Sequence, residues 1–195
     1  MKRLFDIFFS LIGLILLLIP FVIISIIILL DSRGGIFYKQ IRVGLNGSDF
    51  YLLKFRSMEI GSDKQGLLTV GGRDSRITHF GYFIRKYKID ELPQLINVFS
   101  GDMSLVGPRP EVRKYVDLYN REQLQVLSVK PGITDYASIE YRNENEILGK
   151  AENPEQTYIN EIMPLKLQLN LKYISEKSIG IDLKIIFKTI WRIIS

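Results

Sequence analysis

The chain has 195 residues, 47% of them hydrophobic, and a formal net charge of +5. This length supports one domain with a hydrophobic core and an accessory element, and the charge suits anionic partners: nucleic acid, phospholipid headgroups or phosphorylated substrates. The absence of cysteine excludes disulfides and thiolate chemistry, and the single histidine, His79, excludes a metal site with several histidines. A metal would therefore be held by oxygen ligands, which favours Mg²⁺ or Mn²⁺.

The N-terminal segment at 4–30 is almost entirely apolar and is long enough to cross a hydrocarbon core. A signal peptide fits poorly, because the segment is too long and Asp31-Ser32-Arg33 is not a small-residue cleavage site. A spanning helix and a helical hairpin both stay open. Basic residues flank both ends, which favours placing both on the cytoplasmic side, and Pro20 breaks or bends a helix. A hairpin would need partners for the carbonyls freed near Leu16 and Leu17.

Short β segments and helices are predicted for the rest of the chain. Two runs rich in aromatic and aliphatic residues, at 36–38 and 50–53, predict strands, and glycines and an asparagine separate them. Residues 58–74 are rich in Gly, Ser and Asp and predict a mobile surface loop. Apolar spacing predicts further helices, the last of them with a break at Pro164: 78–87, 90–99, 111–127 and 154–173.

The C-terminal segment at 181–194 has the pattern of an amphipathic helix. Lys184, Lys188 and Arg192 recur every four residues and therefore share one face. Apolar residues and Trp191 occupy most of the remainder, which is typical of a helix that lies in a membrane surface. A helix packed on the core with one solvated stripe is the alternative.

Asp90 and Glu91 form a pair of adjacent carboxylates at a predicted helix start. A helix N-terminus stabilises a negative carboxylate, so we expect Asp90 to stay ionised. An ionised carboxylate can attack phosphorus and form an acyl-phosphate, and its neighbour can hold Mg²⁺. An Asp N-cap followed by Glu is also common at helix starts, so the pair by itself has a purely structural interpretation as well.

Three motifs present cations that suit phosphate binding. Arg109 lies between two prolines, which stiffen its backbone, and a stiffly presented guanidinium suits bidentate phosphate binding. Arg142 follows the Lys130-Pro131-Gly132 turn, and Lys54 follows a predicted strand. Each motif taken alone also fits a solvated cation at the end of a loop or strand.

Several motifs occur in a fixed order along the chain. They are Lys54-Phe55-Arg56-Ser57-Met58, Ile89-Asp90-Glu91-Leu92-Pro93-Gln94-Leu95, Asn97-Val98, Gly101-Asp102-Met103-Ser104-Leu105-Val106-Gly107-Pro108-Arg109-Pro110 and Lys130-Pro131-Gly132-Ile133-Thr134. This series resembles the bacterial sugar transferase family, the monotopic phosphoglycosyl transferases, in its minimal form with the catalytic domain alone. The resemblance runs from Arg3-Leu4-Phe5-Asp6 to Asp182-Leu183-Lys184 and so covers nearly the whole chain.

The resemblance implies a mechanism. Asp90 matches the family's nucleophile, which attacks the β-phosphate of a UDP-sugar, and Glu91 matches a carboxylate associated with Mg²⁺, so Glu91 and Asp90 are the implied metal ligands. UMP leaves, a phosphosugar–enzyme ester remains, and polyprenyl (undecaprenyl) phosphate takes the phosphosugar, which initiates glycoconjugate synthesis. The implied phosphate-binding side chains are all cations: Arg85, Arg109, Arg142 and, as a further candidate, Lys54.

The resemblance also implies an architecture and a location. We expect an α/β fold, mostly α with short β segments. Residues 1–33 would form a re-entrant N-terminal membrane hairpin, and residues 34–195 a cytoplasmic catalytic domain with interfacial amphipathic helices. The expected location is the cytoplasmic face of the bacterial inner membrane. The expected partners are a UDP-sugar, polyprenyl phosphate and membrane lipid, and no nucleic acid.

Two positions depart from the family pattern. Ile19 precedes Pro20 where members often carry Ser, whose hydroxyl can satisfy a freed carbonyl. Thr134-Asp135-Tyr136-Ala137 stands where many members read Thr-Gly-Trp-Ala, a change that can reshape the sugar or nucleotide pocket, so the sequence does not identify the sugar. The competing hypothesis is a non-catalytic protein that binds anionic lipid through its basic patch. The co-occurrence of the Asp-Glu pair with the Gly-Pro-Arg-Pro loop favours the transferase.

Overall fold

The computed structural model describes residues 1–62, 66, 68 and 74–194, the last two of these without their side chains. This part of the chain is mostly helical with a few short strands, as the sequence predicts. The strands form two separate pairs, one antiparallel and one parallel. The predicted loop at 58–74 lies partly outside the described residues; within its described part, Met58 forms a single β-bridge with Ile77.

The N-terminal segment forms two helices, α1 (Lys2–Leu16) and α2 (Leu18–Asp31), with a bend of 60° between them. The bend falls at Leu17, three residues before Pro20, because the proline ring collides with the preceding turn and offers it no N–H. The predicted break is therefore confirmed. The carbonyl of Leu17 does not lose its donor as we expected, because it accepts from the backbone N–H of Phe21 at 2.8 Å.

The helix pair is apolar on its outside and buries few of its own side chains completely. By length and composition, no single helix in the described part of the chain could cross a membrane, but α1 and α2 satisfy that test together as a bent pair. The buried residues of α1 are the polar Asp6 and Ser10, whereas α2 buries Ile28. Large exposed apolar side chains are found on both helices: Leu4, Phe8, Ile15, Leu16, Leu18, Ile19, Ile23, Ile26 and Leu30.

Strands β1 (Phe37–Val43) and β2 (Asp49–Phe55) form an antiparallel hairpin in which Tyr38 pairs with Lys54. Both strands are longer than the runs predicted from the sequence. Side chains along β1 alternate between exposed and half-buried, which is the two-residue period of a strand with one covered face. The connecting turn uses a left-handed asparagine, Asn46, with φ of 54°.

Two helices, α3 (His79–Lys86) and α4 (Gln94–Ser100), flank a short 3₁₀ helix, Ile89–Glu91. The predicted helix at 78–87 is confirmed, and Thr78 caps it by accepting from the N–H of Gly81. The predicted helix at 90–99 is divided into the 3₁₀ turn and α4.

The buried Asn97 fixes α4 to the edge of β2. Its Oδ1 accepts from the N–H of Leu53 at 2.9 Å, and its Nδ2 donates to the carbonyl of Tyr51 at 2.8 Å. The side-chain amide therefore completes the hydrogen bonding of the strand on either side of the buried Leu52. Because Lys54 follows Leu53, this clamp also places Lys54 beside the 3₁₀ turn.

The strands β3 (Ser104–Val106) and β4 (Gly132–Thr134) pair in parallel. Directly after β3, Gly107 passes so close to Gly132 that a Cβ added to Gly132 would lie 2.1 Å from the nitrogen of Gly107. Only glycine fits so close a backbone approach. The contact fixes the loop that continues from Gly107 to Arg109.

Residues 111–127 do not form the single helix that their apolar spacing predicts. They form a one-turn helix, α5 (Arg113–Val116), and a 3₁₀ helix, Gln123–Ser128. Between these, Oδ1 of Asn120 accepts from the N–H of Gln123, and Oε1 of Gln123 accepts from the N–H of Asn120, each at 2.9 Å. This reciprocal cap begins a new helical turn, so the prediction of one continuous helix is wrong.

The rest of the chain is helical. Its elements are α6 (Tyr136–Glu140), α7 (Glu144–Gly149), α8 (Pro154–Thr157), a π-helix (Tyr158–Ile162), α9 (Met163–Glu176) and α10 (Ile179–Ile194). Pro164 lies in the first turn of α9, where its missing N–H is not needed. The backbone changes there from π-helix to α-helix, but the chain stays helical through Pro164, so the predicted break is wrong.

The C-terminal helix α10 combines both interpretations of its sequence pattern. Ile185 is fully buried in a cluster with Val106 and Tyr173, so one face packs on the core. Phe187 and Trp191 remain exposed, Trp191 to 74%. A helix that packs on the core thus also presents an apolar surface to its surroundings.

Candidate active site

The carboxylate pair lies on the 3₁₀ turn between α3 and α4. Lys88, immediately before that turn, adopts a left-handed conformation with φ of 56°, which separates α3 from the turn. Asp90 and Glu91 are buried, with 4% and 9% of their surface exposed. The pair lies at a helix start, as predicted, but the helix is the 3₁₀ turn Ile89–Glu91, and α4 begins four residues after Asp90 at Gln94. The macrodipole of α4 acts mainly within its first turn and does not account for the surroundings of Asp90.

Glu91 is neutralised by two cations. Nη1 of Arg109 donates to Oε2 of Glu91 at 3.0 Å and Nη2 donates to Oε1, while Nζ of Lys54 lies 3.0 Å from Oε1. Burial alone would raise the pKa of Glu91, but Arg109 and Lys54 outweigh that effect and hold the pKa well below its usual range. Glu91 is therefore ionised and bound on both oxygens.

Asp90 has the opposite environment. Burial raises the pKa of its carboxyl, the nearby Lys54 acts against that increase, and the charge of Glu91 adds to it. Its Oδ1 is buried and has no hydrogen-bond partner among the described residues. We expected a helix N-terminus to favour the ionised form of Asp90. Burial instead favours its protonated form, because it raises the pKa of the carboxyl. An orphaned buried acceptor suits a ligand that brings its own positive charge or donors.

Burial lowers the pKa of Lys54, and the attraction of Glu91 offsets part of that decrease. Lys54 therefore interacts with both carboxylates from the end of β2, where the amide of Asn97 fixes the strand. This arrangement agrees with the sequence prediction that Lys54 belongs to the site. Its role as a phosphate contact stays a prediction.

The loop that presents Arg109 is held by a carboxylate that the sequence analysis did not assign to the site. The N–H of Arg109 donates to Oδ2 of Asp135 at 3.1 Å, and Oδ1 of Asp135 accepts from the N–H of Ser138 at 2.6 Å at the start of α6. Asp135 is fully buried. It is one of the residues at which the chain departs from the family pattern, so that departure was the available signal.

A second support reaches the same loop from β1. Nη1 of Arg42 donates to the carbonyl of Pro110 and to Oε1 of Glu111, each at 3.0 Å. The hydroxyl of Tyr158 in the π-helix donates to the other carboxylate oxygen of Glu111. Arg42 and its partners are 68 and 69 positions apart in the chain, and Tyr158 and Glu111 are 47 apart, so no local pattern indicates these contacts. They stiffen the backbone next to Arg109 beyond what its flanking prolines do.

The other two predicted arginines lie farther from the pair. Arg85, in the last turn of α3, acts electrostatically to lower the pKa of Asp90. Arg142 is exposed just before α7, and its guanidinium donates to the backbone carbonyl of Arg192 in α10. The structure thus brings Lys54 and Arg109 onto Glu91 and sets Arg85 near Asp90. The phosphate-binding roles of Arg85 and Arg142 stay predictions.

The first two turns of α1 support the site from the other side. Arg3 donates to the carbonyls of Val98 and Phe99, at 2.5 and 2.8 Å, at the end of α4. Oδ1 of Asp6 accepts from the N–H of Leu105 in β3 at 3.0 Å. From the sequence, Asp6 belongs to the start of the family resemblance and has no predicted role in the fold. In the structure it docks α1 onto the elements that flank the carboxylate pair.

The end of α2 is tied to β2 by the buried Arg56. Its Nη2 donates to the carbonyl of Ser32 at 2.8 Å and to that of Ile28 at 3.3 Å, and its Nη1 donates to the carbonyl of Arg33. A guanidinium at a helix C-terminus satisfies carbonyls that lack partners within the helix. Since Arg56 is two residues after Lys54, the same strand end serves both the helix pair and the carboxylates.

The carboxylate pair offers oxygen ligands of the kind that Mg²⁺ requires. Among the described residues, no group of three or more His, Cys, Asp or Glu side chains could hold a metal ion. Mg²⁺ commonly uses only one or two carboxylates and takes its remaining ligands from substrate phosphates and water. The unpartnered Oδ1 of Asp90 fits that role. Glu91 fits it if Arg109 or Lys54 releases an oxygen, as each can when a phosphate offers it a second anionic partner.

Comparison with known proteins supports the same class of protein. The family profile described as "Bacterial sugar transferase" matches residues 1–195. The chain is 37% identical over 194 residues to the "uncharacterized sugar transferase EpsL" of Bacillus subtilis (strain 168), covering 100% of this chain and 87% of that protein. It is 38% identical over 174 residues to the UDP-N-acetylgalactosamine-undecaprenyl-phosphate N-acetylgalactosaminephosphotransferase of Aeromonas hydrophila, covering 88% and 38% of the two chains. It is 35% identical over 189 residues to the UDP-glucose:undecaprenyl-phosphate glucose-1-phosphate transferase of Escherichia coli (strain K12), covering 92% and 37%.

The chain therefore belongs to the bacterial sugar transferase family, as its motifs predict, and is an enzyme of that family. It spans most of the length of the Bacillus protein but less than two fifths of the Aeromonas and Escherichia proteins. The matched region includes the whole cluster around Asp90 and Glu91.

Proposed function

We propose that this enzyme transfers a sugar-1-phosphate from a UDP-sugar to undecaprenyl phosphate, or to a similar polyprenyl phosphate, and releases UMP. The observation that carries the proposal is the buried Asp90, whose Oδ1 has no partner among the described residues, beside a Glu91 neutralised by two cations. Two relatives are named as transferases that use undecaprenyl phosphate, one with UDP-N-acetylgalactosamine and one with UDP-glucose. The product, a sugar on a lipid diphosphate, would begin the synthesis of a glycoconjugate.

In the first step, a carboxylate oxygen of Asp90 forms a bond to the β-phosphorus of the donor. The bond between that phosphorus and the bridging oxygen breaks, and UMP leaves with its electron pair. Burial raises the pKa of Asp90 because it disfavours the charged carboxylate. Ester formation removes the charge from that carboxyl, so the same burial favours the ester over the free carboxylate.

In the second step, an oxygen of the polyprenyl phosphate attacks the phosphorus of the ester. The bond from phosphorus to the oxygen of Asp90 breaks, which regenerates the carboxylate and gives a polyprenyl diphosphate sugar. One site thus serves the donor and the acceptor in turn, and the reaction follows ping-pong kinetics. Arg109 and Lys54 lie where they can transfer part of their attraction from Glu91 to the phosphates.

We propose that Asp90 and Glu91 hold Mg²⁺ together with the substrate phosphates. The bound ion would neutralise the charge that concentrates on the diphosphate. Arg109 has a planar fork that matches either a carboxylate or a phosphate, so it can exchange one for the other without losing its bidentate geometry.

We further propose that residues 1–33 form a re-entrant anchor in the inner membrane and that residues 34–195 form a catalytic domain on its cytoplasmic face. The bent helix pair with its exposed apolar side chains supports this arrangement, as do the exposed Phe187 and Trp191 of α10. A UDP-sugar dissolves in water, whereas a polyprenyl tail dissolves in lipid. A site held at the depth of the headgroups can receive both.

The experiment that tests the proposed function is capture of the intermediate. The enzyme is incubated with Mg²⁺ and UDP-sugars labelled in the β-phosphate, including UDP-N-acetylgalactosamine and UDP-glucose, then quenched and mapped by mass spectrometry. We expect label on Asp90 without acceptor and loss of that label when undecaprenyl phosphate is added. Product formation at normal speed without any adduct on Asp90 would exclude the covalent mechanism.

The topology is tested by cysteine labelling, which is clean because the chain has no native cysteine. One cysteine is added ahead of Met1, and another replaces Gly35, where a side chain has room. In sealed inverted membrane vesicles, both positions should react with an impermeant reagent from the cytoplasmic side. Reaction from opposite sides would reject the re-entrant anchor.

A further inference from the structure

A cavity of about 470 Å³ lies beside the carboxylate pair, between the β1–β2 hairpin and the segment that follows β2. Lys54 and Arg85 both line it. Nζ of Lys54 is 3.0 Å from Glu91, and Arg85 acts on the charge of Asp90, so the cavity reaches the site where they line it. Its volume is within the range of about 300–1,000 Å³ that small-molecule pockets occupy.

Strand β1 forms one wall of the cavity, with a polar side chain at every second residue. Tyr38, Gln40 and Arg42 are half-buried, and all three line the cavity. Lys39 and Ile41, which alternate with them, are exposed on the opposite face of the strand. The two-residue period of the strand thus presents an aromatic ring, an amide and a guanidinium in sequence along one wall.

The amide of Gln40 is held in one orientation. Its Oε1 accepts from Nε of Arg42 at 3.0 Å and from Nη2 at 2.7 Å. Arg42 in turn is fixed by its contacts with Pro110 and Glu111. The amide nitrogen of Gln40 carries two donor hydrogens, and no acceptor for it is recorded among the described residues. A ligand carbonyl in the cavity would meet a donor that is already aligned.

The chemistry of the lining favours one part of the substrates over the other. A prenyl chain would strip water from the guanidinium and amide groups of this wall without replacing their hydrogen bonds, which costs free energy. A nucleobase stacks on an aromatic ring and offers carbonyl acceptors to an amide donor. The cations Lys54 and Arg85 suit the phosphates that follow the nucleoside.

We propose that this cavity binds the uridine of the donor, with its diphosphate directed towards Lys54 and Arg85. Tyr38 provides the stacking surface, and the amide nitrogen of Gln40 donates to a carbonyl of the base. The inference rests on the proposed function, since it takes a UDP-sugar as the donor. It adds the place where the nucleotide is recognised and two residues outside the phosphate-binding set that recognise it.

The test compares Gln40→Ala and Tyr38→Ala with Tyr51→Ala. Tyr51 is an exposed aromatic residue on the same hairpin that does not line the cavity, so it is the matched control. Initial rates of UMP release give the KM for the UDP-sugar and the KM for undecaprenyl phosphate separately. Loss of a stacked ring or of an amide contact should raise the donor KM and the inhibition constant of UMP about tenfold. The acceptor KM should stay within about twofold, as should every constant of the control variant.

A second measurement uses the unaltered enzyme and so does not depend on how the variants fold. Photo-crosslinking with 4-thio-UMP, followed by peptide mapping, should label 37–43. Label confined to other segments, or a rise in the acceptor KM in place of the donor KM, would overturn the assignment of the cavity. Failure of the enzyme to release UMP from any UDP-sugar would refute the proposed function instead.

Discussion

Two regions of the molecule bury carboxylates, and they use them in opposite ways. Where α1 docks, Oδ1 of Asp6 accepts from Ser104 and from Leu105, and Asp182 is bonded on both oxygens. In the candidate active site, Oδ1 of Asp90 is buried without a partner among the described residues. A buried charge is costly unless it is paired. The paired carboxylates therefore hold elements together, and the orphaned one indicates a place that a ligand completes.

The largest effect expected from this contrast is on turnover. Asp90→Asn removes the proposed nucleophile but keeps the size of the side chain, so steady-state UMP release should fall by about 10⁴-fold or more. The melting temperature should not fall, because asparagine carries no charge to bury. Activity and thermal unfolding are measured on the same preparation. A variant that is active but less stable would make Asp90 a structural residue like Asp6.

The next effect concerns the fork of Arg109. Arg109→Lys keeps the charge but loses the bidentate contact with Glu91 and the bidentate phosphate contact we propose, so kcat should fall by about 10²- to 10³-fold. Arg113→Lys is the matched control, since Arg113 forms an exposed ion pair with Asp49 and exposed pairs contribute little. Steady-state kinetics measure kcat for both variants. Equal activity of the two variants would show that the fork geometry does not matter.

The third effect is a loss of stability when the contacts that dock α1 through Asp6 are removed. Asp6→Ala leaves the hydroxyl of Ser104 and the N–H of Leu105 without their acceptor, so the free energy of unfolding should decrease by about 1–3 kcal/mol. Ser10→Ala is the control, because the hydroxyl of Ser10 donates only to the carbonyl of Ile7 within α1. Urea unfolding in detergent measures both variants. A smaller loss for Asp6→Ala than for Ser10→Ala would contradict the docking role.

The smallest effect is a pH dependence of stability in buffer without Mg²⁺. The pKa of Asp90 is raised above its ordinary value of 3.8, so the folded state holds this proton more tightly than the unfolded state does. The wild-type protein therefore loses stability as the pH rises from the pKa of Asp90 in the unfolded state to its higher pKa in the folded state. Asparagine does not titrate, so the melting temperature of Asp90→Asn relative to wild type should increase from acid to neutral pH. A constant difference would show that the pKa of Asp90 is not raised.

Features that depend on neighbouring residues were predicted well. The bend near Pro20, the helix at 78–87, the hairpin strands and the helical state of 181–194 all follow from spacing within a few residues. The sequence left open whether α10 packs on the core or lies in a membrane surface. The series of motifs also predicted that the carboxylate pair belongs to the site, together with Lys54 and Arg109, which form ion pairs with Glu91. The single helix predicted for 111–127 failed because apolar spacing continues through a point where Asn120 and Gln123 cap a new turn.

Features that depend on distant residues were not predicted. Asp6 lies in the apolar N-terminal segment, and its partner Leu105 is about a hundred positions away. Asp135 and Arg42 hold the loop around Arg109 from two sides. The departure from the family pattern marks Asp135 as unusual but does not indicate its partner, and nothing near Arg42 in the chain indicates its role. Side-chain hydrogen bonds between remote segments leave no periodic signal.

The sequence by itself determined the family, the apolar bent segment and the identity of the paired carboxylates, because each depends on residue type and short spacing. Only the tertiary structure decided how the two carboxylates differ. Glu91 lies against Arg109 and Lys54, which lower its pKa, whereas burial raises the pKa of Asp90. A pKa depends on the water and the charges around a group, and those are fixed only when distant parts of the chain come together.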